Sequence, residues 1–100
     1  MDVLIILKEL SKDKTLSQRD LSKKVGFSLG KVNYILNAII DKGLVKVEKF
    51  KNSKKKIAYM YILTPKGTAK KMDLTYHFLK KKMHEYDALR IEIEELKKDL

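Results

Sequence analysis

Apolar residues fall at helical spacing along most of this chain, and polar punctuation divides them into elements. Val3, Ile6, Leu7 and Leu10 recur behind Asp2, which is able to cap a first helix, and the polar run Ser11-Lys12-Asp13-Lys14 ends it. Thr15 and Leu16 read as a short extended piece. The second helix has the clearest start: Ser17 as N-cap, Asp20 three residues on to close a capping box, and Leu16 stapling onto Leu21. Leu21 and Val25 face the core, Gly26 supplies a left-handed turn residue, Phe27 packs beneath the turn and Ser28 caps the next helix. About three residues then separate two helices, which is the spacing of a helix-turn-helix.

The third helix is predicted from Leu29 to about Lys42, ended by Gly43. At 100° per residue, Leu29, Val32, Ile35, Leu36, Ile39 and Ile40 share one arc, the buried one. Leu44 to about Lys49 and Ile57 to Leu63 are rich in β-branched and aromatic residues and read as strands, with Tyr59 and Tyr61 counted in the core. The turn between them, Phe50 to Lys56, carries four lysines. A hairpin with a basic tip after a helix-turn-helix is the wing of a winged helix.

Thr64-Pro65 is a cap followed by proline at the first helical position, and no proline follows. One helix is therefore expected to run to the C-terminus, about 50 Å long at 1.5 Å per residue. Its apolar seam is Met72, Tyr76, Leu79, Met83, Tyr86, Leu89, Ile93, Leu96 and Leu100. The steps alternate four and three, with one residue missing near Leu89. So long a seam cannot be buried against so small a domain, and it calls for a second copy. The predicted fold is α+β and mostly α: a winged helix-turn-helix of three helices and a two- to three-stranded wing over residues 1–63. Residues 64–100 form a long C-terminal dimerisation helix.

Charge then narrows the partner. The chain has 100 residues and a net charge of +10, which implies an anionic partner. The excess is central: residues 42–56 carry +6 and residues 57–84 carry +5, against +2 before them and −3 after. A cationic membrane binder more often spreads its lysines along one amphipathic helix. The mixed charges flanking the last seam, Lys80 to Lys82 and then Glu92, Glu94 and Glu95, suit coiled-coil edges better than lipid. No stretch has membrane-spanning length or the build of a signal peptide, so the cytoplasm is the expected location.

Candidate chemistry is sparse. Without cysteine there is no disulfide framework, thiolate metal site or thiol catalysis. His77 and His84 lie one heptad apart, with Asp73 four residues before His77, and read as the polar flank of the seam, not as metal ligands. With no phosphate-cradling glycine loop or nucleophile elbow, neither an enzyme nor a cofactor is expected.

The third helix shows something else. Opposite its apolar arc lie Gly30, Asn33, Tyr34 and Asn37, with Lys31 at the edge. An ordinary solvated face favours Lys, Glu, Gln and Arg, which form helices well, whereas these residues are costly choices. Asparagine contacts adenine through two hydrogen bonds, and glycine permits close approach. The wing lysines Lys51, Lys54, Lys55 and Lys56 serve equally to protect a strand edge. Their place after a recognition-type helix favours phosphate or minor-groove contact, which gives affinity more than sequence choice.

The run from Leu16 to Val45 resembles the helix-turn-helix of MarR-type transcriptional regulators. Four strings in order, Ser28-Leu-Gly-Lys-Val-Asn-Tyr34, Phe50-Lys-Asn-Ser-Lys54, Leu63-Thr-Pro-Lys-Gly67 and Phe78-Leu-Lys-Lys-Lys-Met-His-Glu-Tyr86, are similar to the subgroup associated with exopolysaccharide gene clusters. The resemblance implies a homodimer on double-stranded DNA. Ser28, Gly30, Lys31, Asn33, Tyr34 and Asn37 would enter the major groove, and Lys51, Asn52, Ser53 and Lys54 would lie on the flanking backbone. Larger members build a dimer domain, and often a ligand pocket, from helices at both ends. Here the long C-terminal helix is expected to dimerise alone, and no effector molecule is specified. The rival reading is a winged-helix adaptor whose lysines bind an acidic protein.

Overall fold

Local capping sets where three of the four helices begin in the computed structural model, which describes residues 1–51 and 57–100. Asp2, expected to cap the first helix, is instead its first residue: Met1 takes the N-cap position with no side-chain cap hydrogen bond, and the Asp2 carboxylate pairs with Lys31. Helix α1 spans Asp2–Lys12, α2 Gln18–Val25, α3 Leu29–Asp41 and α4 Pro65–Lys98, with strands β1 (Val45–Lys51) and β2 (Ile57–Leu63) between α3 and α4. The Ser17 hydroxyl accepts from the Asp20 N–H at 3.0 Å, and the Asp20 carboxylate accepts from the Ser17 N–H at 3.1 Å. That reciprocal pair satisfies two donors that a bare helix start leaves unmet. Gly26 ends α2 at φ 75°, a left-handed conformation that costs glycine little. The Ser22 hydroxyl donates to the Phe27 carbonyl at 2.6 Å, and Ser28 accepts from the Lys31 N–H at 3.1 Å to open α3.

The core lies where the first three helices meet the base of the hairpin. Ile6, Leu7 and Leu10 of α1 pack with Leu16, Leu21, Val32, Ile35, Leu36 and Ile39, closed by Leu44, Val45 and Tyr61. Burying such side chains stabilises the domain by roughly 1.5–3 kcal/mol each before chain entropy is charged against it. The antiparallel strands pair Val45 with Leu63, Val47 with Tyr61 and Lys49 with Tyr59.

Several expectations are corrected. Leu29, assigned to the buried arc, is 44% exposed, because the first turn of α3 extends past the core. Tyr59, expected in the core, is 46% exposed: it shares a face with Tyr61 but sits one strand repeat further from the helices. Thr15 and Leu16 form no strand; the neighbouring Lys14 carbonyl instead accepts a single bond from the Tyr61 N–H at 3.2 Å. Strand β1 also runs on through Phe50 and Lys51, two residues placed in the turn by sequence.

A tight joint fixes the start of α4. The Thr64 hydroxyl donates to the Gly43 carbonyl at 2.6 Å and accepts from the Gly67 N–H at 3.0 Å, while the Thr64 N–H donates to the Leu44 carbonyl at 3.0 Å. Gly67 lies flat against that turn, where a Cβ would overlap the Leu44 carbonyl oxygen. Leu74 then packs against the core and Phe78 is half-buried near Met1 and Leu4. From Leu79 onward every residue of α4 is exposed, and the molecule measures 67 × 26 × 22 Å.

Because the obstacle at Gly67 is backbone, a methyl group forces the helix away from the turn. Gly67→Ala is expected to destabilise the fold by at least about 1–3 kcal/mol. Urea unfolding measures it, and an unchanged midpoint would mean the joint yields freely.

Candidate nucleic-acid interface

Helix α3 presents its polar face to solvent because Val32, Ile35, Leu36 and Ile39 hold the other face in the core. Gly30, Lys31, Asn33, Tyr34 and Asn37 are all exposed, Tyr34 to 76%, and Ser28 caps the same end. The first turn contains no acidic residue, so nothing there repels a phosphate from the positive end of the helix. In α2 that place is taken by Asp20.

Gly30 is the most informative member. A Cβ built on it would meet nothing within 4 Å, in contrast to Gly67. Glycine in a helix costs about 1 kcal/mol relative to alanine. Nothing among the described residues accounts for that cost.

The two asparagines belong to a polar chain that sequence reasoning missed. The Asn37 amide donates to the Asn33 carbonyl oxygen at 3.2 Å, and the Asn33 amide donates to Gln18 Oε1 at 3.1 Å. Gln18 Nε2 in turn donates to the Tyr61 hydroxyl at 3.2 Å. The chain orients Asn33 from α2 and the base of the wing. Each asparagine offers two N–H donors and two lone pairs, so Asn33 keeps one of each for an outside partner. Asn37 keeps one N–H and both lone pairs. Only contacts across the folded domain bring Gln18 and Tyr61 together, 43 positions apart, and no local motif announces them.

Lys31 is placed differently. Its ammonium lies 2.9 Å from Asp2 and 4.1 Å from the centre of the Phe27 ring, tied back toward α1. Both groups of the ion pair are about half exposed, so it contributes little to stability. In the hairpin Lys51 is exposed at the end of β1, while Lys46 pairs with Glu48 at 3.2 Å. The wing residues Asn52, Ser53, Lys54, Lys55 and Lys56 lie outside the described residues.

On α4, His77 stands 3.3 Å from Asp73, and among the described residues no three side chains come together to hold a metal ion. No described helix is long and apolar enough to cross a membrane. Met72, Tyr76, Leu79, Met83, Tyr86, Leu89, Ile93, Leu96 and Leu100 are each at least 43% exposed.

A capped helix pair, an outward polar helix and a following hairpin make up a winged helix-turn-helix fold, and residues 4–46 match the family described as winged helix-turn-helix DNA-binding. Among solved structures the fold is similar to the PcaV transcriptional regulator from Streptomyces coelicolor, determined with its natural ligand. The TM-score is 0.65 and the identity 18%, over 79% of this chain and 55% of that one. It is similar also to a MarR/EmrR family transcriptional regulator from Acinetobacter (TM-score 0.64, 20% identity, 99% of this chain and 74% of the other). A Thermoplasma acidophilum protein assigned as a transcriptional regulator gives a TM-score of 0.66 at 25% identity, over 87% and 88% of the two chains. The present chain thus spans little more than half the length of the Streptomyces regulator. Comparison with curated protein sequences gives no significant match.

The capping box makes the helix pair sensitive to acid. Hydrogen bonds from the Ser17 N–H and hydroxyl hold the Asp20 carboxyl below its ordinary value of 3.8. A depressed folded-state pKa contributes stability that is present above the unfolded value and lost as pH falls through the folded one. Stability measured by urea unfolding from pH 6 down to pH 2 is expected to fall less in Asp20→Ala than in the native chain. Parallel curves would remove the cap from the acid response.

Proposed function

We propose that this chain is a sequence-specific, double-stranded DNA-binding regulator of transcription that acts as a homodimer and has no enzymatic activity. The observation that carries the reading is Gly30: an open glycine beside oriented asparagines, on an outward helix face with no acid in its first turn. Each α3 enters a major groove, with Asn33 and Asn37 reading base edges, Tyr34 and Lys31 beside them, and Ser28 and Gly30 close to the backbone. The wing lysines neutralise flanking phosphates. Two copies joined through the seam of α4 address two half-sites, one helical turn or a multiple of it apart. The solved regulators of similar fold support this reading, and the four sequence strings support the MarR-type, exopolysaccharide-associated assignment.

Selection of bound duplexes from a random pool tests it directly, since a regulator returns a preferred, two-fold symmetric sequence. A winged-helix adaptor for an acidic protein returns none. On the selected site, Asn33→Ala is expected to cost about 1–3 kcal/mol and to relax base choice at one position per half-site. Equal weakening on random duplex would reduce Asn33 to a backbone contact.

Replacing Lys54, Lys55 and Lys56 together by alanine should weaken binding to all duplexes alike. The salt dependence should flatten by roughly one unit of slope for each phosphate no longer neutralised. Titrations at several salt concentrations measure this, and an unchanged slope assigns those lysines to protecting the hairpin.

A further inference from the structure

The seam of α4 carries more than a tendency to pair. From Met72 to Leu100 its steps are 4, 3, 4, 3, 3, 4, 3 and 4, a series that reads the same in both directions and is centred on Tyr86. We infer that α4 pairs with α4 of a second copy in antiparallel orientation, with the two-fold axis at Tyr86; this rests on the homodimer proposed above.

In an antiparallel two-fold pair, a residue a given number of positions before the axis faces the residue the same number after it. A seam can meet itself in that arrangement only if its spacing is a palindrome. A parallel pair imposes no such condition, because each residue meets its own copy. Here Met72 faces Leu100, Tyr76 faces Leu96, Leu79 faces Ile93 and Met83 faces Leu89, with Tyr86 against itself. The missing residue, a flaw in a plain heptad, falls on the axis, where the local change in winding is shared equally by both helices.

Charge favours the same orientation. The half of α4 before Glu85 carries a net +5 and the half from Glu85 to Lys98 a net −2. A parallel pair sets like against like over the whole length, whereas the antiparallel pair sets basic against acidic and opposes the helix dipoles. Pairs flanking the seam are mixed and decide little: Lys82 meets Glu92 and Asp73 meets Lys97, but Lys80 meets Arg90. Space is available too. Gly67, Leu74 and Phe78 hold α4 to the domain by one face, while Met72, Tyr76 and Met83 lie roughly opposite, about 120–180° around the helix. The arrangement carries the two Gly67 residues to opposite ends of the pair, about 57 Å apart. That exceeds the roughly 34–36 Å of one duplex turn.

The chain has no cysteine, so single labels are clean. With Lys98→Cys, outside the seam, paired nitroxide labels are expected near 36 Å apart, about twice the rise from Tyr86. A distance near 10–15 Å would mean parallel helices and overturn the inference while leaving the dimer intact. A chain that light scattering finds monomeric at micromolar concentration would overturn the dimer as well. Mixing Leu79→Cys with Ile93→Cys chains should give a mixed disulfide under mild oxidation, and Leu79→Cys alone should give far less. The reverse result would reject the register.

Discussion

The geometry of this protein depends on one close approach: the Gly67 backbone against the carbonyl of Leu44, with Thr64 hydrogen-bonded on both sides of the contact. Thr64 ends the wing and starts α4 in a single residue, and its hydroxyl ties both to the turn that leaves the outward helix. Any side chain at 67 would separate these three elements. The residue is buried although it opens a helix whose far end is fully exposed. The start of the long helix is thus fixed to the winged-helix domain by backbone contacts, which leave little freedom for substitution at position 67.

Elements defined by near neighbours were legible in the sequence. Ser17 with Asp20, Ser28 with Lys31 and Thr64 with Gly67 are each three residues apart, and each cap forms where the residue types place it. The core arc of α3 was legible for the same reason. Leu29 and Tyr59 were misplaced because periodicity reports which face a residue occupies and not how far its element extends beyond the core. The chain from Asn37 through Asn33 and Gln18 to Tyr61 could not be read at all, since it joins two helices and a strand through contacts that exist only once the core has formed. Gln18 looked like an ordinary first residue of a helix.

The glycines show how one residue type answers to different causes. Gly26 and Gly43 take left-handed conformations that end helices, Gly67 gives room to a neighbouring backbone, and Gly30 needs neither. Sequence alone weighed Gly30 against a bland solvated face. The empty space where a methyl group would stand shifts that balance, because the chain's own packing would accept alanine there and gain helix propensity.

The joint at Thr64 and Gly67 also acts as the fulcrum of a lever. Helix α4 is about 51 Å long, so a tilt of about 10° at the joint moves its far end by roughly 9 Å. Angular error that would be harmless in a short helix becomes a displacement of more than one and a half times the helical pitch at Leu100. A long, unsupported arm demands a stiff bearing, and the crowded backbone around Gly67 supplies one.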